Sequence, residues 1–143
     1  MSQENVAVVR KAFEAFNRDG FRAMQEFWDP EIVWHTDPMV PEPGVYEGRE
    51  AVTAYLEGFI RAFGAWRLEV HDLIDLGGED VLSFMTLSGR PLAQTQQETQ
   101  FLEWCHISSV RNSKTVRIRS FLDKERAFEA AGLSEQDAHA DSS

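Results

Sequence analysis

The chain has 143 residues, 43% hydrophobic and 27% charged, with a net charge of −10 from 14 basic and 24 acidic side chains. That length fits one domain with a sizeable core, and the charge argues against nucleic acid and anionic membrane surfaces, which are bound through Lys and Arg. A single cysteine, Cys105, excludes an intrachain disulfide and a thiolate metal cluster.

The first 11 residues, MSQENVAVVRK, show no basic flank leading into an apolar signal core, and no apolar run approaches the ~18 residues of a membrane helix. A cytoplasmic location is the default expectation. Val6, Val9, Phe13 and Phe16 recur at helical spacing, which predicts a first helix with Ser2 as its N-cap and Gly20 as its stop. A shorter helix carries Phe21, Met24 and Phe27. Glu31 to His35 reads as a brief strand, with Ile32 and Trp34 alternating against Val33 and His35. Thr36 to Gly48 contains Pro38, Pro41, Pro43 and Gly44, so it is expected to be a structured loop. Val52, Tyr55, Leu56, Phe59, Ile60 and Phe63 then form a strong helical stripe.

After Gly64 the period changes to two. Trp66, Leu68 and Val70 alternate with Arg67, Glu69 and His71, and LGGED supplies a hairpin turn into a strand over Val81 to Arg90. A Gln/Thr-rich link leads to a strand from about Glu98 to Val110. RNSK turns the chain into another, Thr115 to Leu122. A last helix begins near Asp123 and stops at Gly132. Residues 1–133 are thus expected to form one domain, and the polar residues 134–143 a disordered tail. Helices followed by a run of strands describe an α+β fold: a cone-shaped, curved antiparallel sheet closed around a pocket by three helices of the N-terminal half, plus a short C-terminal helix.

In this order of elements, VVRKAFEAFNRDG, FWDPEIVWHTDP, PEPGVYEGREAV, VHDLIDLGGEDVL and VRIRSFLDKERAFEAAGL resemble the SnoaL-like branch of the nuclear transport factor 2-like superfamily. The resemblance covers nearly the whole chain up to Leu133. It implies the cone fold and, commonly, a homodimer through the outer sheet face. It does not imply one activity: the superfamily holds ketosteroid isomerase, polyketide cyclases, dehydratases, epoxide hydrolases and members without chemistry.

A three-residue loop in RNSK would set His106 opposite Ile118, Trp104 opposite Ser120 and Leu102 opposite Leu122. Those six residues then share an apolar face suited to a pocket wall, with Trp34, Tyr55 and Phe59 joining the lining. Phe101, Glu103, Cys105, Ile107, Arg117 and Arg119 take the other face. The resemblance places His106 where ketosteroid isomerase has its protonated acid, if the turn carries a one-residue gap, and a histidine can donate a hydrogen bond there. It places His35 at that enzyme's general base without a gap, or Asp37 with a two-residue gap; the sequence leaves the choice open. His35 and Asp37 are two residues apart on an extended segment, so both can face the pocket. Asp37, ahead of Pro38, also fits a turn-capping role. Ala12 replaces the isomerase phenol and Ser120 replaces the cyclase acid, so neither mechanism carries over.

The four histidines, 35, 71, 106 and 139, show no metal-binding spacing, and no cofactor motif is present. The expected partner is an apolar, ring-containing small molecule. The reading this favours is a cofactor-free isomerase, lyase, cyclase or dehydratase that moves a proton beside a carbonyl, with His35, Asp37 and His106 as the catalytic candidates. Two others stay open: a non-catalytic binder of an apolar ligand, and a dimerisation module whose pocket is plugged by Trp34, Trp66 and Trp104.

Overall fold

The stripe of Val9, Phe13 and Phe16 becomes the buried face of a long helix, α1 (Ser2–Asp19), in a computed structural model that describes residues 2–40, 42–63, 65–89 and 100–132. Gly20 follows with a φ of 89°, a conformation open to glycine, and turns the chain into a short helix, α2 (Phe21–Met24), with a 3-10 turn behind it (Gln25–Phe27). Then come β1 (Trp28–His35), β2 (Val45–Glu47), α3 (Arg49–Phe63), β3 (Ala65–Gly77), β4 (Asp80–Gly89), β5 (Gln100–Arg111), β6 (Lys114–Phe121) and α4 (Lys124–Ala131). Asp123 caps α4 by accepting the Glu125 N–H at 2.8 Å, and Gly132 closes it in the left-handed conformation. The Gln/Thr-rich link and the tail lie outside the described residues.

The six strands form one sheet in the order β2-β1-β6-β5-β4-β3. Every pair is antiparallel except β1 and β6, which run parallel because the chain crosses the whole sheet between them. Three register shifts interrupt β3 where it pairs with β4, and such bulges bend a strand. The sheet curves without closing, and α1, α2 and α3 pack against its inner face over a core that includes Phe13, Trp28, Trp34, Leu56, Met85 and Trp104. On the opposite face α4 sets Ala127 and Phe128 over Leu82, Phe84, Cys105 and Ile107. Asn17 joins α1 to the edge strand β3 with two hydrogen bonds to Leu68, donating at 2.7 Å and accepting at 2.9 Å. No described helix is long and apolar enough to cross a membrane.

Two differences from the sequence reading affect the site. The proline-rich segment is not all loop, because Val45–Glu47 adds an edge strand to β1. The last hairpin turns on two residues: Arg111 pairs with Lys114, while Asn112 and Ser113 hold φ of 53° and 64°. A register shift between Ser109 and Val110 follows, so His106 stands opposite Ser120 and Ser108 opposite Ile118. The shorter turn and the bulge each move the pairing by one position. One step alone would have exchanged the two faces; two steps restore them, which is why the inner-face residues keep their side although their partners change.

Candidate functional site

Four of the eight residues expected to line the pocket are packed more deeply than a wall. Trp34, Trp104, Ile118 and Ser120 are all at most 5% exposed, and half-buried Tyr55 and Phe59 stand above them. The Trp104 indole N–H donates to Ser120 Oγ at 2.7 Å, its ring stacks under Phe59 at 5.7 Å, and Trp34 tilts against it at 6.0 Å. The inner cone is therefore filled by its own aromatic rings. The side chain of Trp66 lies outside the described residues.

Above this layer is a cavity of about 770 Å³, walled by Tyr55, Phe59, Leu102 and Leu122 together with Met39, Val40 and Glu42 of the loop that follows β1. Its position follows from α3, which has two faces. Val52 and Leu56 are fully buried in the core, while Ala51, Ala54, Tyr55 and Gly58 repeat at helical spacing on the adjacent face. Three of those four are alanine or glycine, so the helix surface leaves room. Tyr46 of β2 stacks on Tyr55 with ring centres 4.3 Å apart, and its hydroxyl donates to the Glu42 carbonyl at 2.7 Å. Burial, then Tyr46, then the Glu42 charge push the Tyr55 phenol up to about 12.

The loop wall is held by Asp37. This carboxylate is 1% exposed; Oδ1 accepts the Met39 N–H at 2.8 Å, and Oδ2 accepts the Leu122 N–H at 2.7 Å and Arg126 Nη2 at 2.8 Å. Both oxygens are engaged with the protein, and Asp37 is not among the residues that line the cavity. His35 does not accompany it. Parity on β1 sends Trp34 inward beside Ile118, and His35 pairs with Arg119 on the outer face. Burial lowers the His35 pKa, and Arg117 and Arg119 lower it further.

His106 is 2% exposed, and neither ring nitrogen has a hydrogen-bond partner among the described residues. Trp34 and Trp104 meet the imidazole edge-on at 4.9 and 4.6 Å, and Phe13 lies 6.0 Å away. Burial alone depresses its pKa to about 3, so the ring is neutral at pH 7. It sits one indole below the cavity floor. His35, Asp37 and His106 thus occupy three places: the outer face, the loop anchor and the inner core.

The sequence profile of the SnoaL-like domain matches residues 9–118, most of the chain. The chain belongs to the SnoaL-like family. Bal32a, from a soil-derived mobile gene cassette, superposes on this SnoaL-like chain with a TM-score of 0.72 at 18% identity, over 84% of this chain and 89% of the other. An NTF2-like protein of unknown function from Burkholderia pseudomallei gives 0.68 at 20%, over 90% and 97%. TerC co-crystallised with polyporic acid gives 0.68 at 18%, over 90% and 98%. At these identities the likeness is one of fold. No curated protein matches the sequence.

Sequence reasoning missed Met39, Val40, Glu42, Ala51, Ala54 and Gly58 on the wall of this SnoaL-like cavity. The signal available was the second α3 stripe, whose small side chains carry almost no weight in a search for hydrophobic periodicity.

Proposed function

We propose that this SnoaL-like protein binds an apolar, ring-containing small molecule in the cavity between α3, the loop that follows β1 and the ends of β5 and β6. The observation that carries the proposal is the cavity itself: about 770 Å³, with aromatic and aliphatic walls and few polar groups. That volume and lining suit a drug-sized ligand. TerC, a structural neighbour, was co-crystallised with polyporic acid, which supports a ring-bearing ligand in this fold.

The ligand's ring lies against Phe59 and Tyr55, between Leu102 and Leu122. The test is a thermal-shift screen with apolar ring compounds on the parent and on Ala54→Trp. Ala54 is an exposed position on the cavity wall, so the indole fills the space without entering the core. A ligand at 100 times its dissociation constant stabilises the parent by roughly 2.7 kcal/mol and leaves Ala54→Trp unmoved. Equal shifts in both proteins would put the ligand elsewhere.

A second reading, proton transfer beside a carbonyl, rests on His106. A fully buried imidazole with no partner among the described residues at either nitrogen is costly, and the deficit is relieved if a ligand oxygen takes its N–H. Contact requires the Trp104 indole to leave Ser120 and swing aside. His35 and Asp37 carry no part in this reading, since one is on the outer face and the other is consumed by the loop. Turnover of an enolisable ketone that His106→Gln leaves unchanged across pH 4–9 would remove it.

A further inference from the structure

The charges around the cavity are one-sided. Among the described residues that line it, Glu42 is the only acidic one, and no Lys, Arg or His stands on the wall. Glu42 is held at the rim because its carbonyl accepts the Tyr46 hydroxyl at 2.7 Å. Tyr46 in turn stacks on Tyr55 at 4.3 Å, so Glu42 and two phenol rings share one end of the cavity. Phe59, Leu102 and Leu122 form the apolar remainder.

We propose that the ligand carries an ammonium group on its apolar ring body, the cation seated between the Glu42 carboxylate and the Tyr46–Tyr55 ring pair and the ring directed towards Phe59. The inference rests on the binding reading above and specifies its ligand class. An ammonium group over electron-rich ring faces, with a carboxylate beside it, gains from cation–π attraction and ion pairing together. A carboxylate ligand meets repulsion from Glu42 and finds no described counter-charge on the wall. Burial first, then Tyr46 and then the Glu42 charge raise the Tyr55 phenol to about 12, in keeping with a carboxylate near the ring pair. The protein's net charge of −10 further favours the approach of a cation at low salt.

The test uses three probes of one shape: 2-(2-naphthyl)ethylamine, 2-(2-naphthyl)ethanol and 2-naphthylacetic acid. Dissociation constants are measured by titration calorimetry on the parent and on Glu42→Gln. The amine is expected to bind the parent about tenfold tighter than the alcohol, with the acid weakest. In Glu42→Gln the amine loses most of its advantage over the alcohol, keeping only what the ring pair supplies, and raising salt from 50 to 500 mM weakens chiefly the parent's amine complex. Glu42 is exposed, so Gln is not expected to disturb folding, and matching thermal midpoints of the unliganded proteins check this. Amine and alcohol binding the parent equally, or losing affinity alike in Glu42→Gln, overturns the cation assignment and leaves the apolar pocket standing. Failure of all three probes to bind overturns both.

Discussion

At the scale of single residues, His106 is a buried side chain whose ring nitrogens find no partner among the described residues. An imidazole with two unsatisfied nitrogens loses its hydration on folding and recovers none of it, a penalty of about 1–3 kcal/mol. Leucine at this position has comparable bulk and nothing to satisfy. His106→Leu is therefore expected to raise the unfolding free energy by about 1 kcal/mol at pH 7, measured by urea denaturation. The pH dependence has a definite sign. Because the folded pKa is depressed to about 3 while the unfolded chain titrates near 6.5, only the unfolded state takes up the proton between those values. Stability from this group is complete above pH 6.5 and declines as pH falls, by an order of 4 kcal/mol at pH 3. The gap between His106→Leu and the parent should widen from pH 7 to pH 4. A gap that stays constant would mean the imidazole titrates normally, and so has a partner in the folded protein.

At the scale of elements, the β5–β6 hairpin carries an improvable turn. Asn112 and Ser113 both hold positive φ, as a two-residue hairpin turn demands, and serine has no preference for that region. Ser113→Gly restores the favoured Asn-Gly pair and is expected to stabilise by about 0.5–1 kcal/mol, read from the denaturation midpoint at unchanged slope. A destabilised variant would indicate that the Ser113 hydroxyl, and not the turn conformation, sets the energy here. The same hairpin shows where reading strands from sequence breaks down. Alternation fixed which residues of β5 and β6 share a face, but pairing depended on a turn length and a bulge that leave no periodic signal. On β1 the alternation was informative and was overridden by motif comparison: Ile32 and Trp34 are one set and His35 belongs to the other, so a strand that buries Trp34 cannot also bury His35 on the same side.

For the whole molecule, Asp37 is the point where three distant parts of the chain meet. It binds its own loop at Met39, the end of the sheet at Leu122 and α4 at Arg126, and so fixes one cavity wall relative to the opposite one. Replacement by alanine leaves two backbone N–H groups and a half-exposed guanidinium without their acceptor. Asp37→Ala is expected to cost about 3 kcal/mol in thermal or urea unfolding and to weaken ligand binding through the displaced loop. Asp37→Asn has a single carbonyl oxygen, so its amide nitrogen must face either the Met39 or the Leu122 N–H, and it should fall between the two. An Asp37→Ala protein as stable as the parent would show that the loop finds its place without this anchor.

The sequence by itself determined the α+β class, the helix stripes, the hairpin at LGGED, the α4 caps and the division of β5 and β6 into two faces. Each is a local matter of period, turn chemistry or capping, set by neighbours a few residues apart. Family membership was legible for a related reason, because the quoted stretches combine those local signals in a fixed order. The tertiary structure alone decided what the cone contains. Whether Trp104 lines a pocket or fills it depends on Phe59 from α3 and Ser120 from β6 arriving together, and Asp37 becomes an anchor only once Leu122 and Arg126 are beside it. Glu42 and the small residues of α3 acquire meaning only as opposite walls of one space. Contacts between residues far apart in the chain depend on bulges and crossovers, and these carry no local signature.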